Sequence, residues 1–355
     1  MRPTQMVLPA GAAAEPVFPA TRYQGSKAKI IGWLSGVLRD LGGATLLDAF
    51  GGTGVVGYTM KRAGLSVTYN DLLTANVQVG LALIENRNVT LHPDRVHDLL
   101  EEAESSSPGF IASTFDDIYF THDENVWLDH MAPAIGRMEE PHERAIAYFA
   151  LFQACIAKRP YNLFHRKNLY MRLAEVDRSF GNKATWDTPF PEMFQRFVSE
   201  ANRAVFDNGH PNFARHGDAA EITGDFDVVY IDTPYVSGKG VSVDYGQFYH
   251  FLDGLVRYDE WPHLVDMSSK HRRLKPIKNE WNDKRTVREA FDRLFQRHAS
   301  SKLAVSYRSD GIPTIDELAD MMREHKSHVE VVPYGQYTYV LSKNNSSREV
   351  LIVGT

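Results

Sequence analysis

GATLLDAFGGTGVVGYTMKRAGLSVTYND, residues 43–71, decides the fold. Its first apolar run ends at Asp48 and has the length of a buried strand, and Gly51, Gly52 and Gly54 then break it. The next segment spaces its apolar residues at helical intervals and ends at Gly64, where a glycine can close a helix. A second short run ends in Asn70 and Asp71. Strand, glycine turn, helix and strand make a βαβ unit, which calls for parallel strands with a helix packed on the sheet.

The turn carries chemistry as well as topology. Glycines let a ligand approach the backbone with no Cβ in the way, and the helix that follows offers unpaired N–H groups at its start. Glycines at 51, 52, 54 and 57 do not fit GxGxxG, and no lysine completes a phosphate loop. Nucleoside binding and plain tight packing both fit the turn taken alone. Asp71, at the end of the second strand, stands where an acid accepts from both hydroxyls of a ribose, or is a solvated strand end.

Outward from this unit, LLTANVQVGLALIENRN (72–88) reads as a second helix, and a long aromatic and charged section follows to about residue 205. Within it ERAIAYFALFQACIAKR (143–159) has helical spacing. The α/β pattern resumes with FDVVYID from 226 and KLAVSY from 302, and QYTYVLS (336–342) and REVLIVG (348–354) are expected to pair antiparallel at a sheet edge. The reading is an α/β protein with a mainly parallel sheet: a tail at 1–20, a core at 21–95 and 206–355, and a mostly helical insertion at 96–205. An insertion of that length between core strands points to function.

Composition sets the bounds. The chain has 355 residues, 43% of them hydrophobic, enough for a large core. No run of about 18 apolar residues exists, and the start has neither a basic region nor a long apolar stretch, so a soluble cytoplasmic protein with no membrane partner is expected. The lone Cys155 cannot form an internal disulfide and falls in an apolar helix, so it is read as core. The 14 histidines show no HxxxH or HExxH spacing, and no metal site is expected.

A net charge of −6 argues against binding polyanions by overall charge. Two local runs differ. KRPYNLFHRKNLYMRL (158–173) carries Lys158, Arg159, Arg166, Lys167 and Arg172 without an acid, interleaved with Tyr161, Asn162, His165 and Asn168, groups that can stack on bases or bond to their edges. KHRRLKPIK (270–278) adds Arg272 and Arg273. Each run is either part of a nucleic-acid track or a solvated face.

FDVVYIDTPYVSGKG (226–240) raises the sharpest question, because a buried strand ends there in a carboxylate, a proline and an aromatic ring. Taken with the glycine turn and Asp71, it resembles the D12 class of N6-adenine-specific DNA methyltransferases, which includes the DNA adenine methylases. RYQGSKAKI (22–30) resembles that family's N-terminal cofactor motif, DAFGGTG its glycine loop, YND its ribose-binding acid and IDTPY its Asp-Pro-Pro-Tyr motif, in the family's order. Thr233 departs from the pattern by replacing the first proline.

The resemblance implies a Rossmann-like methyltransferase sheet, with 96–205 as a target-recognition domain for double-stranded DNA. It implies S-adenosylmethionine as methyl donor, with Tyr23, Gly25 and Lys27 closing over its methionine end. Asp48 would lie near its amino group, Phe50, Gly52 and Gly54 along its middle, Asp71 on the ribose and Asp218 on the adenine amine. Asp232 and the backbone carbonyl of Thr233 would accept from the target amine, Pro234 would hold the turn, and Tyr235 would stack on a base flipped from the duplex. Arg159, Tyr161, Asn162, His165, Arg166, Lys167, Asn168, Arg272 and Arg273 would face DNA, and a restriction endonuclease is a possible functional counterpart. An RNA adenine methyltransferase would share the cofactor and catalytic motifs, and a catalytically impaired nucleic-acid-binding module is a further alternative.

Overall fold

A computed structural model describes residues 15–21, 23, 25–104, 106–176, 183–237, 244–277, 279–336 and 348–355. The βαβ unit consists of β1 (Thr45–Asp48), the helix Val55–Arg62 and β2 (Ser66–Asp71). Gly64 has φ +92° and closes the helix: its N–H and that of Leu65 bond back to the carbonyls of Lys61 and Met60 at 3.0 and 3.1 Å.

The remaining strands are β3 (Phe213–His216), β4 (Val228–Ile231), β5 (Val236–Ser237), β6 (Lys302–Arg308), β7 (Gly311–Ile312), β8 (Val329–Gln336) and β9 (Arg348–Gly354). The main sheet runs β3-β2-β1-β4-β6-β9-β8, and β5 pairs with β7 in a separate ribbon. β3, β2, β1, β4 and β6 are parallel, while β9 runs antiparallel to both β6 and β8. From β1 the chain moves outward through β2 to β3, then returns to build β4 and β6 on the other side. The carboxyl ends of β1 and β4 therefore flank a topological switch point, where open α/β sheets bind ligands.

The C-terminal edge differs from its sequence reading in one respect. REVLIVG lies between β6 and β8, and its outer partner is VEVVPYGQ (329–336); of QYTYVLS, all but Gln336 lies outside the described residues. Pro333 and Gly335 obscure VEVVPYGQ as a strand, yet proline is tolerated where one side of a strand needs no donor, and β8 is the edge.

Side chains alternate between two apolar layers. Leu46, Val228 and Tyr230 face one, and Leu47, Val229 and Ile231 the other. Ile31–Asp40, Val55–Arg62 and Thr74–Gly80 cover the first layer, Val287–Arg297 and Ile315–Arg323 the second. Residues 96–205 are mostly helical. Their central helix Pro141–Ala157, which contains buried Cys155, packs on Phe190–Ala204 and on Thr74–Gly80. Among the described residues these helices join the first apolar layer and build no separate core.

Candidate active site

A cleft of about 920 Å³, open solvent at its mouth included, lies over the ends of β1, β2 and β4. Its floor is the glycine turn. The Gly51 N–H bonds the Asn70 carbonyl at 2.8 Å, and a Cβ on Gly51 would lie 1.9 Å from the Tyr69 ring, so only glycine fits. Gly52, at φ +51°, meets nothing nearer than 3.9 Å on its Cβ side. Gly54, expected at the ligand, instead starts the helix at φ +76° against Val79 and Ile84 and does not line the cleft.

Carboxylates ring this floor. Asp48 closes β1 and is buried; Oδ2 accepts from the Gly57 N–H at 3.1 Å, while Oδ1 has no partner among the described residues. Burial pushes its pKa up to about 8, with the Asp232 and Asp71 charges acting in the same direction. Asp71 accepts from the N–H groups of Gly52 and Leu73, both at 2.9 Å, one on each oxygen. A carboxylate has about four acceptor positions, so this one retains capacity on both oxygens. Asp218 Oδ1 accepts from the Ala220 N–H at 2.9 Å and the Trp281 indole at 3.0 Å. The Trp281 ring meets Phe50 edge-on at 4.9 Å, giving an aromatic wall. Opposite, Tyr23 stacks on Tyr249 at 3.8 Å, and its hydroxyl accepts from Asn76 at 3.2 Å. Gly25, at φ +85°, is crowded by the Tyr245 hydroxyl, which a Cβ would meet at 2.2 Å.

Asp232 follows β4 and belongs to a charged cluster. Lys27 Nζ lies 2.9 Å from Asp232 Oδ1 and 3.0 Å from Glu349 Oε1, and donates to the Tyr235 hydroxyl at 2.8 Å. The ammonium, expected over a cofactor's methionine end, is thus engaged with the carboxylate of the IDTPY motif. Tyr235 also departs from its expected role. It is only 6% exposed, its ring packs edge-on to Tyr307 at 5.5 Å, and it does not line the cleft. With its face covered, it cannot stack on a base in this arrangement; its hydroxyl lies 2.9 Å from Asp232 Oδ1 and 3.1 Å from Glu349 Oε1. Thr233 and Pro234 do line the cleft, and buried Thr233 Oγ1 has no partner among the described residues.

The two basic runs meet at Tyr119, whose buried hydroxyl lies 2.5 Å from the Phe164 carbonyl and 2.7 Å from that of His271. Burial then sorts the cations. Lys158 and Arg172 point inward to Glu124, at 2.9 and 2.7 Å. Arg159 is 1% exposed and donates to the carbonyls of Leu163, Tyr119 and Arg166 and to the Asn168 amide oxygen. Asn168 is buried with it. Arg159 and Asn168 therefore cannot face DNA: their polar groups organise the 159–168 loop. His165 is half-buried with its ring near Phe248, and burial, with Arg166 and Arg159 close by, lowers its pKa to about 4, so it carries no charge toward DNA at neutral pH. Tyr161, Arg166 and Lys167 are exposed, and Asn162, Arg272 and Arg273 are partly so. Tyr161 and Asn162 both hold positive φ, 64° and 58°, which lifts this stretch out of regular structure. Lys278 lies outside the described residues.

Sequence reasoning missed Asn70, Trp281 and Glu349. Asn70 adjoins a recognised acid; its amide bonds the carbonyls of Ala49 and Gly217 at 3.0 and 3.1 Å, leaving a buried Oδ1 without a partner among the described residues. Trp281 comes from the short turn Glu280–Asn282, which has no periodicity to reveal it. Buried polar atoms awaiting partners (Asp48 Oδ1, Asn70 Oδ1), a glycine cradle and an aromatic wall fit a nucleoside that carries a cationic amino-acid end.

Relatives bear on which reaction such a cleft serves. Type II methyltransferase M2.HphI from Haemophilus parahaemolyticus is 28% identical over 341 residues, covering 94% of this chain and 96% of that enzyme. Modification methylase LlaI from Lactococcus lactis subsp. lactis is 25% identical over 92% of this chain and 52% of its own length. Type II methyltransferase M.FokI from Planomicrobium okeanokoites is 23% identical over 89% and 49%. The chain spans about half the length of these last two. The family described as D12 class N6 adenine-specific DNA methyltransferase matches residues 23–303, a span that takes in the glycine turn, the IDTPY strand end and the helical insertion between them. By that match the chain belongs to the D12 class of N6 adenine-specific DNA methyltransferases.

Proposed function

We propose that the cleft holds S-adenosylmethionine beside a flipped adenine, and that Asp232 and the Thr233 carbonyl accept from the adenine N6 amine while it is methylated. The reaction itself, methylation of adenine N6 in DNA, is that of the family. The amine is a poor nucleophile because its lone pair is delocalised into the ring, and two acceptors on its hydrogens localise that pair. The observation that carries the proposal is the position of Asp232. Its carboxylate stands at the switch point beside the cleft, 18% exposed, and the contacts described above fall on Oδ1, leaving Oδ2 to accept.

When bound, S-adenosylmethionine supplies a methyl group made electrophilic by its sulfonium. Around it, Asp71 takes the ribose hydroxyls, Asp48 the amino group, and Asp218 with Phe50 and Trp281 the adenine ring. These contacts fix orientation, the main catalytic contribution when the group to be transferred is already activated. Tyr161, Asn162, Arg166, Lys167, Arg272 and Arg273 form the DNA-facing set. The relatives' names include modification methylases, which supports methylation of one defined DNA sequence, with a restriction endonuclease as functional counterpart.

The test is a split between two substitutions. Asp232→Ala abolishes methyl transfer to duplex DNA and leaves cofactor affinity unchanged by calorimetry. Asp71→Ala weakens cofactor binding by about 1.5–3 kcal/mol, the range for hydrogen bonds to a charged group. Near-wild-type transfer by Asp232→Ala overturns the acceptor role, and an unchanged dissociation constant for Asp71→Ala overturns the ribose role.

A further inference from the structure

Glu349 lies beyond the matched family span, on the C-terminal strand β9, yet its carboxylate reaches the reacting end of the molecule. It is 1% exposed. Its Oε1 receives three groups from three separate parts of the chain: Lys27 Nζ at 3.0 Å, the Tyr235 hydroxyl at 3.1 Å and the Ser306 hydroxyl at 3.0 Å. Lys27 and Tyr235 are also the two groups that hold Asp232 Oδ1.

We infer that Glu349 is a positioning residue for Asp232: it balances the Lys27 cation and shares the Tyr235 hydroxyl, so that Asp232 remains a strong, correctly aimed acceptor for the adenine amine. This rests on the proposed role of Asp232. A lysine ammonium alone, 2.9 Å from the working carboxylate and shielded from water, would draw electron density from the oxygens that must bond the amine. A second carboxylate on the far side of the ammonium divides that attraction. The cluster then carries two carboxylates against one cation, and the uncompensated negative charge falls on the member that is exposed to the cleft. Burying a carboxylate is costly, and here three donors from separate parts of the chain offset that cost.

The charged and titratable groups facing Asp232 are Lys27, Tyr235 and Glu349 in contact, Asp48 and Tyr230 from neighbouring strands, and Arg308 across the Tyr235 ring. Burial raises the Asp232 pKa, Lys27 pulls it down and Glu349 pushes it up. Removing the Glu349 charge therefore lowers it.

The experiment measures single-turnover methyl transfer, with enzyme in excess, to amplified and hence unmethylated bacterial genomic DNA across the acidic pH range. Glu349→Gln retains an oxygen for Lys27 and Ser306. It is expected to transfer methyl groups about 10- to 100-fold more slowly, by analogy with the loss seen when a group orienting a metal-binding side chain is removed. Its acidic limb is expected at lower pH than the wild type's, and Glu349→Asp, which keeps the charge, restores the wild-type limb. An unshifted limb in Glu349→Gln, with slower transfer explained by lowered thermal stability alone, overturns the inference. The double variant Lys27→Met/Glu349→Gln removes opposite charges together and so keeps the cluster's net charge at one negative, now carried by Asp232 alone. If Glu349 acts through Lys27, the double variant transfers no more slowly than Lys27→Met, whereas multiplied losses contradict the inference. Asp232→Asn serves as control: wild-type transfer there overturns the Asp232 reading itself, while an inactive control beside an unshifted Glu349→Gln limb overturns only the role of Glu349.

Discussion

At the scale of single residues, Asp48 gives the most direct pH test of the cofactor site. Its side chain has one unpartnered oxygen at the cleft and a pKa pushed to about 8, chiefly by burial. Below that pH the free protein holds Asp48 neutral, and a ligand ammonium placed against it favours the ionised form. Ligand binding then releases a proton, and affinity for S-adenosylmethionine rises as pH goes from 6 toward 8. Asp48→Asn, which cannot ionise, flattens that rise in calorimetric titrations; a rise of equal size in the variant would remove Asp48 from the amino-group position. Asp48, Asp71 and Asp232 were legible in the sequence because each ends an apolar run, and a strand's end can be read from where its run stops. The basic residues were not. Charge in a sequence carries no sign of burial, so Lys158, Arg159 and Arg172 read as surface cations although they point inward to carbonyls and to Glu124. Nor did any local pattern link Glu349 to Lys27, 322 residues away by their numbers (349 − 27).

At the scale of elements, the loop from 159 to 168 separates structural cations from those proposed to face DNA. Arg159 satisfies three backbone carbonyls in a buried setting, and each carbonyl left bare costs about 1–3 kcal/mol. Arg159→Ala therefore lowers the melting temperature and weakens DNA binding by loosening the loop. Arg166→Ala and Lys167→Ala leave the melting temperature unchanged, weaken binding to all sequences alike, and each lower the salt slope of binding by about one. A stable Arg159→Ala protein, or exposed variants with wild-type affinity and slope, would count against this division. The βαβ unit was fully legible because its signals agree: apolar runs of strand length, glycines where the backbone needs them, and a helix closed at Gly64. The partner of β9 was harder to see. Pro333 and Gly335 break the pattern of β8, and only its place at the sheet edge makes that sequence acceptable there.

At the scale of the whole molecule, the order β3-β2-β1-β4-β6 brings the glycine turn and the IDTPY strand end together, 184 positions apart from Asp48 to Asp232 (232 − 48), across one crevice. Their order in the sequence was readable, and so was the α/β class. The merging of the 96–205 helices with the sheet's own core was not, because apolar periodicity shows that a helix has a buried face without showing what covers it. Among the described residues no helix is long and apolar enough to cross a membrane. The proposed reaction of this cleft is methylation of adenine N6 at a defined DNA sequence. Its most direct measurement incubates the protein with S-adenosylmethionine and unmethylated duplex DNA, identifies the modified nucleoside by mass spectrometry and maps its positions by sequencing. N6-methyladenine is expected at one recurring sequence, absent with Asp232→Ala; N4-methylcytosine, transfer to RNA in place of DNA, or adenines modified without regard to sequence would contradict the proposed function.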